Sequence, residues 1–338
     1  MRRIAVLNQK GGVGKTTTAA NLGAALARRG LRVLLIDLDP QAHLSLHFGV
    51  EISDEQPSIY DVLTDSTPLD DVLLKVSENV TMAPADIDLA GAEAELVSVT
   101  GREVLLREAL ERWNGAYDVL LIDCPPSLGV LTVNALAAAR EVLIPLQAHF
   151  LALQGLSRLL STVTLVRQRI NPALTVNGIV LCMHDASTRL ASEVVDDLAA
   201  FLEAARDTDT PWSGARLYNT RIRRNIKLAE SSSFGQTVFE YAPRSNGAID
   251  YQNLAAELAG VDKPTVPAPD TDASAVSRPL PHDTDATPPV VEMTVAAPGP
   301  SADTAGGDDL PGDATTARWR GHPSDLDRDE SDPVTTTS

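Results

Sequence analysis

Cysteine is scarce: the chain has two in 338 residues, Cys124 and Cys182. Two thiols so far apart make neither a disulfide framework nor a metal spacing, so the expected compartment is a reducing cytoplasm. Aromatic side chains are 4% of the chain, which leaves the packing of a core to Ala, Leu and Val. No stretch reaches the ~18 consecutive apolar residues of a membrane span. The opening Arg2-Arg3 with its brief apolar run reads as a strand and not as a signal peptide. Positive charge is in deficit, with 28 Lys and Arg against 46 Asp and Glu and a net charge of −18. That deficit is uneven. Residues 262–338 hold 15 acidic and 5 basic side chains, leaving −8 on residues 1–261. An acidic total therefore does not exclude a local basic face.

The stretch that organises the rest is Asn8-Gln9-Lys10-Gly11-Gly12-Val13-Gly14-Lys15-Thr16-Thr17-Thr18. Ile4-Ala5-Val6-Leu7 before it reads as a buried strand, and Leu22, Ala25 and Leu26 after it give a helical pattern. Glycine-rich turns between strand and helix are common. Here Lys15 and Thr16 follow the last glycine directly, which is the context of a phosphate-binding loop. Backbone N–H groups of Lys10, Gly11, Gly12, Val13 and Gly14 would cradle phosphate oxygens, together with Lys15, Thr16 and Thr17 at the helix N-terminus. Lys15 would reach the β- and γ-phosphates and the Thr16 hydroxyl would sit on Mg2+. Gln9 stands where the general pattern has glycine. Lys10 is an extra lysine that does not easily reach the same phosphate as Lys15 from within one loop.

Further along, Arg32-Val33-Leu34-Leu35-Ile36-Asp37 reads as a second buried strand leading to Leu38-Asp39-Pro40-Gln41. A carboxylate beyond the C-terminal end of such a strand faces the ligand crevice of an open α/β sheet. Asp39 is placed to orient or deprotonate a water, although either Asp37 or Asp39 would also serve as a turn cap before Pro40. Val119-Leu120-Leu121-Ile122-Asp123 repeats the pattern, and one nucleotide–metal complex would explain both Asp123 and the lysine loop. Cys124 beside it reads as a buried structural thiol. Strands are also expected at 79–84, 141–146 and 177–183. Helices are expected at 90–96, 102–113, 151–170, 194–202 and 248–258, the last with Ile249, Leu254, Ala255 and Leu258 inward. The expected architecture is α/β, a doubly wound and mostly parallel sheet flanked by helices over residues 1–260. Residues 261–338 are rich in Pro, Ala, Asp and Thr and read as a disordered acidic tail. One positive patch stands out: Arg216, Arg221, Arg223, Arg224 and Lys227, opposed only by Glu230. It suits phosphate contacts made without base reading, or else is a solvated helix end balanced by nearby acids.

Lys10-Gly11-Gly12-Val13-Gly14-Lys15-Thr16 resembles the deviant Walker A signature of the ParA/MinD group of P-loop ATPases. Asn8-Gln9 ahead of it, and Asp37-Leu38-Asp39-Pro40-Gln41, resemble the ParA/Soj branch that partitions chromosomes and plasmids. The resemblance runs from Met1 to about Gly260. It implies ATP and Mg2+ as ligands, with Lys10, Lys15 and Asp39 catalytic and Thr16 and Asp123 at the metal. It also implies an ATP-dependent homodimer in which Lys10 braces the partner's phosphates. Non-specific DNA would be bound through Arg189, Arg221, Arg223, Arg224 and Lys227, and a ParB-like centromere-binding protein would speed hydrolysis, placing the chain on the nucleoid. Departures from the family pattern are Ala42-His43 for Gly-Asn, Arg223 and Ser232 for prolines, and Ser187 for an arginine, with Arg189 two residues on.

Other readings stay open on the sequence. A MinD-like positioning ATPase would need a basic amphipathic helix after the body, against the acidic tail. An iron–sulfur reductase sharing this loop would need two cysteines at a dimer seam, which Cys124 and Cys182 do not suit. A nucleotide-gated scaffold with little turnover is the reading that Asp39 opposes.

Overall fold

A computed structural model describes residues 1–53, 55–149, 152–185 and 189–260. The tail read from composition, and Ser187, lie outside the described residues. Among the described residues eight strands form one sheet: β1 (Arg2–Val6), β2 (Val33–Asp37), β3 (Leu74–Ser77), β4 (Val80–Ala83), β5 (Val119–Asp123), β6 (Glu141–Leu146), β7 (Thr175–Leu181) and β8 (Arg216–Leu217). Their order is β3-β4-β2-β5-β1-β6-β7-β8, and every pairing is parallel except β3 with β4. The mostly parallel sheet flanked by helices is the architecture expected from the apolar runs.

Strands buried on both faces need no alternation of polarity, and β2 and β5, Val-Leu-Leu-Ile-Asp in each, are buried at every position. Leu34, Ile36, Leu120 and Ile122 join a core on one face, which the helix Ala152–Arg169 covers with Leu156, Leu159, Leu160, Val163 and Val166. Val33, Leu35, Val119 and Leu121 join the core of the other face, with the helices Lys15–Arg28 and Asn246–Leu258. That last helix corrects one expectation. Ile249 is 43% exposed, and the inward positions are Ala248, Tyr251, Leu254, Ala255 and Leu258, because the helix starts at Asn246 and its apolar stripe runs through 248, 251 and 255.

At the far side, β8 lies so close to β7 that a Cβ on Gly178 would stand 2.4 Å from the Arg216 carbonyl oxygen and 2.9 Å from the Tyr218 ring. A backbone oxygen cannot yield as a flexible side chain would. Gly178→Ala is therefore expected to push β8 and the buried Tyr218 outward and destabilise the body by about 1–3 kcal/mol. Thermal unfolding should register this at about 2–4 °C per kcal/mol. An unchanged midpoint would show that β8 does not need the close approach.

Candidate active site

The chain leaves β1 at Val6 and enters the helix at Lys15 through a loop whose shape glycine permits. Gly12 and Gly14 have φ of 71° and 90°, in the left-handed region, and Gly14 is the residue before the first helical turn. Asn8 braces the entry. Its Nδ2 donates to the Pro145 carbonyl at the end of β6 (2.7 Å) and its Oδ1 accepts from the Lys10 N–H (3.0 Å). From below, Cys182 packs against Gly14, its Cβ 3.6 Å from where a Gly14 Cβ would stand. Thr18 faces away from the loop, its hydroxyl 3.2 Å from the buried Tyr251 hydroxyl.

Lys15 is 6% exposed, and among the described residues its ammonium has only a long contact, 3.4 Å, with the Lys10 carbonyl. Burial lowers its pKa, while Asp123 and then Asp39 pull the other way. Asp123, at the end of β5, is fully buried, and neither carboxylate oxygen has a hydrogen-bond partner among the described residues. Burial drives its pKa well above the ordinary carboxylate range, and Asp37 adds to the rise. The Thr16 hydroxyl is near enough to oppose that rise without closing a hydrogen bond of normal geometry. Asp37 sits directly opposite Asp123 on β2. It accepts from the Ser45 N–H and hydroxyl, both at 2.9 Å, and from the Asp39 N–H at 3.2 Å. Burial still outweighs these bonds and pushes its pKa up to about 6. Asp39 is 8% exposed and turns its Oδ1 to the Gln41 N–H at 3.0 Å. Cys124 is buried, and burial raises its thiol well above the usual range, so it is no nucleophile.

A buried carboxylate with both oxygens unpaired, a threonine hydroxyl beside it and a nearly bare ammonium form a set that a Mg2+–phosphate group would complete. Among the described residues no three His, Cys, Asp or Glu side chains form an all-protein metal cage. Mg2+ does not need one, since it is usually held by one or two protein ligands plus substrate phosphates.

The structure thus brings Lys15, Thr16, Asp39 and Asp123 to one mouth at the C-terminal ends of β1, β2 and β5. Lys10 stands outside it, exposed, with its Nζ 2.6 Å from His149 Nε2. The basic residues take several partners. Arg223 grips Asp250 (2.6 Å), Lys227 pairs with Glu230 (2.7 Å), and Arg221 touches His184 Nε2 (3.0 Å). Arg189, at the start of the helix Arg189–Ala204, pairs with Glu193 (3.0 Å). Arg224 is exposed and has no partner among the described residues. Sequence reasoning left out Asn8 and Asp37 as site residues. The signal for Asp37 was present, because it ends its strand just as Asp123 does.

Because the native pKa of Asp37 lies above that of an unfolded aspartate, the folded state holds more protons between about pH 4 and about 6. The stabilising contribution is complete at lower pH and is lost as pH rises through about 6. Without ligand, the wild-type melting temperature should therefore fall by a few degrees relative to Asp37→Asn between pH 5 and pH 7.5, followed by calorimetry. Parallel profiles would show that the buried carboxylate is ionised throughout.

The chain matches the family described as an AAA domain over residues 1–176, more than half its length. It is 46% identical over 257 residues to the sporulation initiation inhibitor protein Soj of Bacillus subtilis, covering 76% of this chain and 97% of that protein. With the chromosome partitioning protein ParA of Caulobacter vibrioides it shares 44% identity over 261 residues, covering 76% and 94%. Among solved structures, cobyrinic acid a,c-diamide synthase from Mycobacterium smegmatis, with bound ATP analogue and magnesium, is similar at a TM-score of 0.64. That match has 39% identity and covers 77% of this chain and 94% of the other. Among the described residues no helix is long and apolar enough to cross a membrane. With its lysine loop and its paired strand-end aspartates, the chain belongs to the ParA/Soj family of partitioning ATPases, acting on ATP with Mg2+.

Proposed function

We propose that the chain is an ATP-operated switch that closes as a homodimer, binds DNA without sequence preference and is reset by hydrolysis to move a chromosome or plasmid. The observation that carries this reading is the unfinished site: two unpaired oxygens on buried Asp123 facing a buried, almost unpartnered Lys15. Thr16 and Asp123 are the residues that would hold Mg2+, which would supply charge neutralisation to the phosphates. The loop N–H groups of residues 10–14 orient the phosphates, together with the N-terminus of the helix carrying Lys15, Thr16 and Thr17. Lys15, held beside Asp123 and Asp39, meets negative charge as it develops on the transferred phosphoryl oxygens. Asp39, with one oxygen engaged by the Gln41 N–H, uses the other to orient the attacking water and take its proton.

Lys10 is free of its own phosphate site and available to a facing copy, reaching the partner's phosphates once it leaves His149. On the outside, Arg221, Arg223, Arg224, Lys227 and Arg189 form the DNA-facing set. Arg224 has no partner among the described residues, and the exposed ion pairs of Lys227 and Arg189 are weak enough to exchange for phosphates. A ParB-like centromere-binding protein is the partner that speeds hydrolysis, and the chain works on the nucleoid.

Lys15→Ala should abolish nucleotide binding in equilibrium titration. Asp39→Ala should keep ATP-dependent dimerisation and DNA retention but lose hydrolysis by about 10²-fold or more. Turnover at the wild-type rate would refute the role of Asp39, and a strictly monomeric ATP-loaded chain would refute the switch. Arg224→Glu with Lys227→Glu should remove DNA binding and leave the dimer intact, measured by filter binding over a salt series. Retained affinity in that double variant would assign DNA to another face.

A further inference from the structure

Phe234 is 65% exposed at the end of the helix Ile226–Ser233, yet it is firmly held. Its ring stacks on Tyr241, with centroids 5.2 Å apart and planes inclined by 17°. Its N–H donates to the Ser231 carbonyl (3.1 Å), and Gly235 follows at a φ of 61°, the left-handed turn that closes a helix. Tyr241 is fixed in its turn. Its hydroxyl donates to Glu230 (3.0 Å), and Lys227 Nζ stands 5.5 Å from its ring centroid. A single exposed apolar side chain is ordinary on a protein surface. A near-parallel ring pair pinned at a helix end is not, and among the described residues no third ring covers Phe234.

The stack is continuous with the cationic surface. Lys227, Glu230 and Phe234 are three and then four residues apart, so they follow one face of the helix. Arg224 just before that helix and Arg244 just after Tyr241 are both exposed. The carboxylates beside the rings are engaged by the protein: Glu230 by Lys227 (2.7 Å) and Tyr241, Glu240 by the Thr237 N–H and hydroxyl (both 2.8 Å). Cations that follow a phosphate backbone, set beside an aromatic face, are the combination on which unpaired bases stack. Within a duplex each base is covered by its neighbours and offers no face to a protein ring. Charge serves either form of DNA, whereas the ring serves only the open one.

We propose that Phe234, backed by Tyr241, is a stacking platform for an unpaired base, so that this surface holds single-stranded DNA more tightly than its charge alone provides. The platform rests on the reading of the Lys227 face as the one that meets DNA.

The test uses the full chain with Mg2+ and a non-hydrolysable ATP analogue. A fluorescein-labelled oligothymidylate of about 20 nucleotides and a duplex of equal length are followed by anisotropy. Phe234→Leu keeps an apolar side chain and removes the aromatic face. It should weaken oligothymidylate binding by about five- to a hundredfold and duplex binding by less than about twofold. Phe234→Tyr should restore the strand. Leu165→Ser, at a 50% exposed apolar position on the helix Ala152–Arg169, should leave both affinities at wild-type values. A 2-aminopurine base in the strand should be quenched by the wild type and not by Phe234→Leu. Undiminished strand affinity or quenching in Phe234→Leu, or equal losses on strand and duplex, overturns the platform. So does a changed oligomeric state of Phe234→Leu without nucleotide, since the ring would then be a contact between copies. Failure of the DNA-facing set reads differently: Arg224→Glu with Lys227→Glu would then keep duplex affinity, whatever Phe234→Leu does to the strand.

Discussion

Two carboxylates end neighbouring parallel strands with their side chains out of water, and the rest of the molecule is arranged around that arrangement. Removing a carboxylate from solvent is expensive unless a partner compensates. Asp37 is compensated by Ser45 and by the Asp39 N–H, whereas Asp123 has neither a hydrogen bond nor an ion pair among the described residues. Lys15 is the nearest positive charge and is itself buried. The folded chain therefore carries an electrostatic deficit that a doubly charged cation with phosphates removes. This is preorganisation: the dipoles and charges are fixed by the sheet before the substrate arrives. The glycines at positive φ, the Asn8 strut and the Cys182 packing maintain the same geometry from the loop side.

The segments that respond to the site are tied to each other by close backbone contact. A Cβ on Gly235 would stand 2.9 Å from the Gly49 Cα, so the stretch that follows Asp39 touches the end of the helix Ile226–Ser233. That helix begins at the basic residues and carries Lys227. Asn21, on the helix that starts at Lys15, accepts from the Val238 N–H at 2.8 Å. The lysine loop's helix, the segment after Asp39 and the helix that carries Lys227 are thus neighbours joined by close backbone contacts. No long-range relay is needed to link them.

Most of this was legible in the chain because burial on both faces leaves continuous apolar runs, and their terminal aspartates mark where the sheet meets its ligand. The elements that escaped have physical reasons. β8 is two residues long and is held by β7 and Tyr218, so no periodicity announces it. β3 is a half-exposed edge strand with Lys75 in its middle. The helix Val130–Ala138 is apolar nearly all round, so it has no contrast between faces. In the site, Lys15 and Asp123 were visible as motif positions, but the grip of Arg223 on Asp250 joins residues 27 apart and is visible only in three dimensions. The Asn8 strut to Pro145 spans 137 positions and is hidden from sequence for the same reason.

Arg2, in the first strand, spans the base of the sheet: it pairs with Glu141 (2.6 Å) and donates to the Leu258 carbonyl in the last helix (2.8 Å). Glu141 continues to Asn177 and from there to Tyr218. The first strand and the closing helix are clasped at the rim opposite the mouth. The body is in effect a loop fastened to itself, a topology in which the order of the pieces along the backbone is partly arbitrary. A rearranged gene joining residue 258 to residue 1 through a short linker, and cut at an exposed turn elsewhere, would encode the same solid.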